Sequence, residues 1–169
     1  MKKILLLLTI TLLSLTSFGQ SEKQLDEKNG FRELKFGTHI DSISNLKLIE
    51  DGVNNKYYEK TDEKLKIGEY DLKRITYGFY KGRLSFILIE ANGYTNSKGI
   101  LDIFTSQYGE GYKSNKYIEK YYWFGKTITL TYDENSINHN SKISISTDIF
   151  DKEKKEDKKS SNEKAKSDL

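Results

Sequence analysis

The chain has 169 residues, with 28 Lys or Arg against 25 Asp or Glu and no cysteine. The missing cysteines exclude disulfides, thiol catalysis and thiolate metal centres. The formal charge of +3 falls to +1 once Lys2 and Lys3 are removed with the leader described next, which excludes a general nucleic-acid footprint.

The opening run MKKILLLLTITLLSLTSFGQSEKQ is laid out as a secretory signal. Lys2 and Lys3 supply the positive region, Ile4 to Leu15 the apolar run, and Ser17 and Gly19 the small residues that signal peptidase reads. Residues 1–19 are therefore expected to be a cleaved signal peptide, which places the protein in the periplasm or outside the cell. The apolar run is too short to cross a ~30 Å hydrocarbon core, and no stop-transfer segment or lipobox cysteine follows. No transmembrane segment is expected after cleavage.

A single domain is expected over residues 20–150. Its first element is a helix in FGTHIDSISNLKL, with Thr38 as N-cap and Asp41 in the electropositive first turn. Ile40, Ile43 and Leu46 or Leu48 would form its apolar stripe. NNKYYEK and EKLKIGEYDL read as further strands or extended loop. In ITYGFYKGRLSFILIE, the pair Lys81-Gly82 lies between two alternating runs and predicts a two-residue hairpin turn. That register sets Phe79 against Leu84, Tyr77 against Phe86 and Ile75 against Leu88, all on a core face. Thr76, Gly78, Tyr80, Arg83 and Ser85 then lie on the opposite side, with Ile87 and Ile89 following.

TNSKGILDIFTSQYGEG predicts a second helix, capped by Thr95 or Ser97. Ile100, Leu101, Phe104 and Tyr108 form its stripe, and Gly109 suits the position just past its end. KYYWFGKTITLTYDE holds the only tryptophan. A hairpin turning at Gly125-Lys126 in a type II′ turn sets Trp123 against Ile128, Tyr121 against Leu130 and Glu119 against Tyr132. Trp123 is then core, and Tyr122 and Phe124 share the far face with Thr127 and Thr129. KISISTDI alternates as a closing strand. The end of the chain carries seven Lys against six Asp or Glu and almost nothing to bury, so residues 151–169 are expected to be a disordered tail. The whole reads as an α+β fold: an antiparallel sheet built from hairpins, with two short helices packed on one face.

No catalytic constellation stands out. His39 and His139 lack a Cys, a second His or a paired carboxylate at metal-ligand spacing. Asp133, Glu134 and Asn135 lack the glycine and terminal acid of a calcium loop. No nucleophile motif or phosphate-cradling glycine loop is present. No catalytic residue, metal ligand or cofactor is therefore assigned. A surface remains: Tyr80, Arg83, Tyr122 and Phe124 on the non-core faces of the two hairpins. Exposed aromatics beside cations suit stacking on sugars, peptide chains or another protein. The competing structural reading is that helices, a loop or a second copy cover them.

GFRELKFGTHID, LKIGEYDLKRITYGFYKGRL, the helix ending QYGEG and YYWFGKTITLTY together resemble a family of small exported bacterial proteins of unknown function. The resemblance covers most of Gly30 to Thr147 and implies no activity. The FGT turn followed by hairpins is also similar to the β-lactamase-inhibitor-like fold shared with outer-membrane assembly lipoproteins, although the lipobox cysteine of the latter is absent here.

The function expected is an exported, non-enzymatic binding or interaction domain for a protein or glycan partner in the cell envelope. Two alternatives stand beside it. One is a hydrolase of cell-wall or other glycans, using a carboxylate pair that the sequence does not identify. The other is a structural protein that forms homodimers through a sheet edge.

Overall fold

The computed structural model describes residues 22–166. The expected leader and its cleavage after Gly19 lie outside the described residues. Residues 22–28 form a short helix, α1. Two small hairpins follow it, β1 (Gly30–Phe31) with β2 (Leu34–Lys35), and β5 (Lys66–Ile67) with β6 (Tyr70–Asp71). The other strands are β3 (Leu46–Asp51), β4 (Asn55–Lys60), β7 (Arg74–Tyr80), β8 (Arg83–Ala91), β9 (Lys120–Phe124), β10 (Ile128–Glu134) and β11 (Ser141–Thr147). They build one antiparallel seven-stranded sheet in the order β3-β4-β7-β8-β11-β10-β9. Helix α2 (Tyr94–Tyr108) links β8 to β9, and α3 (Asp151–Lys166) follows β11. The protein is thus α+β, and among the described residues no helix is long and apolar enough to cross a membrane.

One face of the sheet is the core. Ile75, Tyr77, Phe79, Leu84, Ile87, Ile89, Ile128, Leu130, Tyr132, Ile143 and Ile145 lie on it, all buried. The stripe Ile100, Leu101 and Phe104 of α2 packs against them, as does Leu25 of α1. Each such aliphatic side chain contributes about 2 kcal/mol by area removed from water, enough to hold a domain of this size without cross-links. At the β3 edge the pairing with β4 shifts register at Ile49. Leu48 and Ile49 are exposed there, and a bulge of this kind interrupts an otherwise open ladder.

The β7–β8 hairpin turns at Lys81-Gly82 as expected, with φ of 47° and 77° at the two residues. Both values are positive, as a type I′ turn requires. Phe79 pairs with Leu84, and Tyr80 with Arg83. Beyond them the expected register fails. Ser85 is left over as a bulge, and Gly78 pairs with Phe86, Tyr77 with Ile87, Thr76 with Leu88 and Ile75 with Ile89. One extra residue inverts every later side chain. Ile87 and Ile89 therefore enter the core, while Phe86 and Leu88 move to the opposite face.

The β9–β10 hairpin also folds back, but its turn is one residue later, at Lys126-Thr127. Gly125 N–H bonds Ile128 C=O at 2.7 Å, and Trp123 faces Leu130 rather than Ile128. A shift of two in register keeps the side-chain parity, so Trp123 remains core and Tyr122 and Phe124 remain on the other face. Gly125 serves a different purpose from the one expected. A Cβ there would stand 2.7 Å from Oδ1 of Asp26, so its missing side chain admits the carboxylate that holds the turn.

Two helical expectations need correction. FGTHIDSISNLKL forms a single 3-10 turn, Ile40–Ser42, capped by His39 instead of Thr38. Asn45 then takes φ of 63° and the chain continues as β3; β-branched and serine-rich residues lack the propensity to extend the turn. In α2 the N-cap is Gly93, so Thr95 and Ser97 lie inside the helix, where the Ser97 hydroxyl bonds the His139 carbonyl at 2.7 Å. The two helices on the core face are thus α1 and α2. Residues 151–166 of the expected tail are helical. Asp151 and Glu153 in the first turn and Lys164 and Lys166 in the last suit the helix dipole. Contacts to the β7–β8 turn, described below, anchor the helix.

Candidate functional site

The second face of the sheet is covered only at one end. Along β9 it carries Lys120, Tyr122 and Phe124; the β10 partners of the last two are Thr131 and Thr129. Next come Ser144 and Ser146 of β11, then Leu88 and Phe86 of β8. Two parallel rows run across the strands, each passing from an aromatic ring through Thr and Ser to an apolar side chain. The hydroxyls of Thr129, Thr131, Ser144 and Ser146 have no side-chain hydrogen bond among the described residues, which leaves donors and acceptors open to solvent or ligand.

The aromatic end of these rows is a cluster of three rings. Tyr122 and Phe124 lie 5.9 Å apart with ring planes within 3° of parallel. Tyr112 stands 6.4 Å from each of them. Tyr112 is 61% exposed and Phe124 51%. The loop after α2 brings Tyr112 there by adding a short bridge to the outer edge of β9. Tyr112 N–H bonds Tyr122 C=O at 2.8 Å, and Tyr122 N–H bonds Tyr112 C=O at 2.9 Å. This ring was missed from sequence, because it sits in a polar loop with no periodicity to signal its pairing.

Trp123 belongs to the scaffold. It is buried, and its indole N–H donates to the Gly109 carbonyl at 2.8 Å. That bond ties the end of α2 to β9 and so fixes where the Tyr112 loop begins.

Two cations of the open face, Lys120 and Arg74, are ion-paired, whereas Lys142, in register between Asp133 and Glu90, has no ion pair among the described residues. Lys120 pairs with Asp133 at 2.8 Å, and this carboxylate raises the lysine pKa. Arg74 Nε bonds Glu90 at 2.6 Å, and Arg74 also faces Glu59 at 3.8 Å.

The structure separates the four residues expected to bind. Tyr122 and Phe124 lie in the ring cluster, whereas Tyr80 and Arg83 lie beneath α3. Tyr80 is 2% exposed. Its hydroxyl donates to Asp157, while Phe150 packs on the ring at 6.1 Å. Burial, then the Asp157 carboxylate, push its pKa up to about 12. Arg83 is ion-paired with Glu153 and lies 4.4 Å above the Phe150 ring. Lys81 reaches Glu153 at 3.2 Å and Asp157 at 2.6 Å. Tyr80 and Arg83 therefore dock the C-terminal helix.

Neither histidine joins this site. His39 is exposed at the 3-10 turn. His139 Nδ1 lies 2.7 Å from the buried carboxylate of Glu134, which also accepts from the Tyr132 hydroxyl at 2.6 Å. Comparison with protein-family models, with curated proteins and with solved structures returns no match.

Proposed function

We propose that the protein is an exported, non-enzymatic binding domain that takes a glycan chain across the open face of its sheet. The observation that carries this is the exposed cluster Tyr112, Tyr122 and Phe124 beside two rows of unpartnered hydroxyls. Flat rings accept the C–H faces of sugar rings, and Thr and Ser hydroxyls can both donate to and accept from sugar hydroxyls. A neutral ligand fits beside the rings, because Lys120, the cation on the same strand, already has a carboxylate partner, as does Arg74. The same pairing counts against the hydrolase reading, since Asp133 and Glu90 are engaged as counter-ions. Export rests on the leader at residues 1–19. The β-lactamase-inhibitor-like reading of the fold rests on the FGT turn and the hairpins after it, with a 3-10 turn standing where that resemblance implies a helix.

Calorimetric titration with chito- and cello-oligosaccharides and with soluble peptidoglycan fragments tests the proposal. Saturable binding is expected, weakened at least about tenfold by Phe124→Ala or Tyr112→Ala. A ligand affinity indifferent to both substitutions sinks it, as does the absence of binding across the panel. Turnover of any of these glycans that Asp133→Asn abolishes would establish the hydrolase instead.

A further inference from the structure

We propose that a groove on the helix-covered face, opposite the aromatic cluster, binds a single-chain anionic amphiphile, a fatty-acid-like carboxylate. The groove opens between α1 with the β1–β2 hairpin on one side and α2 with the β5–β6 hairpin on the other. Its volume is about 690 Å³, within the range of small-molecule sites. Leu130 and Ile145 of the sheet line it, as do Phe31, Ile67, Ile103 and Phe104. Apolar lining of this kind gains from taking up a hydrocarbon chain.

Four cations belong to the lining: Lys28, Arg32, Lys35 and Lys66. Two of them have counter-ions. Arg32 is paired with Glu63, and Lys66 lies 3.0 Å from Asp71. The other two have none among the described residues. Lys28 Nζ donates to the Arg32 carbonyl at 3.2 Å, and Lys35 Nζ donates to the Lys28 carbonyl at 2.6 Å. A carbonyl occupies one of the three donors of an ammonium and leaves its charge uncompensated. Glu27, the carboxylate of the lining, faces Lys23 instead at 3.5 Å. The groove thus joins an apolar interior to two unneutralised ammonium groups. A chain with a carboxylate at one end satisfies both, with its tail inside and its head between Lys28 and Lys35. An uncharged chain would leave the lysines unpaired, and a small anion would leave the apolar lining wet.

The test uses three probes on the purified protein: decanoate, decan-1-ol and acetate, followed by amide NMR shifts and calorimetry. Decanoate is expected to bind saturably at one site and to shift the amides of Ile67, Ile103 and Lys35. Decan-1-ol should bind at least about tenfold more weakly, and acetate not measurably. The double substitution Lys28→Glu with Lys35→Glu, at two exposed positions, should weaken decanoate about tenfold or more and leave decan-1-ol unchanged. Ile67→Trp, filling the groove, should weaken both probes. Failure of decanoate to saturate overturns the proposal. So does equal affinity for the alcohol, or indifference to the double substitution. Phe124→Ala should leave decanoate binding intact, so this result and the glycan result stand or fall separately.

Discussion

Asp26 of α1 and Thr127 of the β9–β10 turn are joined by two hydrogen bonds although they are 101 residues apart. Oδ1 of Asp26 accepts from the Thr127 backbone N–H at 3.0 Å and from its hydroxyl at 3.2 Å. Oδ2 accepts from the Lys126 N–H at 2.5 Å. A carboxylate on the first described helix thereby caps the turn that supports the aromatic edge.

Asp26→Ala is expected to cost about 1–3 kcal/mol in urea unfolding at pH 7, since it removes charge-assisted bonds to turn N–H groups. Burial tends to raise the Asp26 pKa, but the Thr127 and Lys126 N–H groups outweigh it and leave the value below the ordinary 3.8. The carboxylate is therefore bound more tightly as the anion in the folded state. Its contribution is fully present above the unfolded value and is lost as pH falls through the lower native one. Wild type and Asp26→Ala should thus converge in stability once the pH has fallen below that lowered native value. A difference that persists there would mean that the turn does not depend on the charge.

The bulge at Ser85 makes a sharp prediction about faces. Ile87→Asp should cost more than about 4 kcal/mol or abolish folding, because it places an unpaired charge in the core. Thr129→Asp, on the open face, should cost about 1 kcal/mol or less. Equal losses in thermal unfolding would refute the division of the sheet into a core face and an open one.

The same division separates Trp123 from its neighbours. Trp123→Ala should lower stability by about 3–5 kcal/mol, because it empties a core position and leaves the Gly109 carbonyl without its indole partner. Phe124→Ala should change stability by about 1 kcal/mol or less while carrying the loss of ligand. Were the two variants to melt alike, Phe124 would be scaffold too.

Helix α3 has no buried residue of its own and is held largely by charge. Lys81 and Arg83 on the β7–β8 turn hold Glu153 and Asp157, whose pKa values lie below the ordinary range because of those partners. The helix should therefore undock in acid, as those carboxylates protonate through their lowered values. It should also undock in 1 M salt. Tyr80 adds an alkaline limit. The stabilisation from its neutral hydroxyl is present below the ordinary tyrosine value and is lost as pH rises through about 12. Loss of far-UV helical signal under these conditions, absent from a chain ending at Phe150, is the expected result. A helical signal indifferent to salt and pH would refute the docking.

What could be read from sequence was local. Alternation on either side of a short turn determined that Ile75, Tyr77, Phe79, Trp123, Leu130, Ile143 and Ile145 point one way, because the side-chain period of a strand is two and survives a register shift of two. The stripe Ile100, Leu101 and Phe104 was legible for the same kind of reason. Tertiary structure decided whatever depended on a distant partner. Ser85 drops out of the ladder where β8 passes from the turn to its pairing with β11, and Gly125 makes room for a carboxylate from α1. Residues 151–166 carry no apolar stripe from which a docked helix could be inferred. Their order comes from Lys81, Arg83 and Tyr80, some 70 residues earlier. Tyr112 joins the aromatic cluster only through a two-bond bridge. Such contacts bring together groups far apart along the chain, and the entropy of closing those loops is offset only when the whole sheet has formed. No short window of sequence contains them.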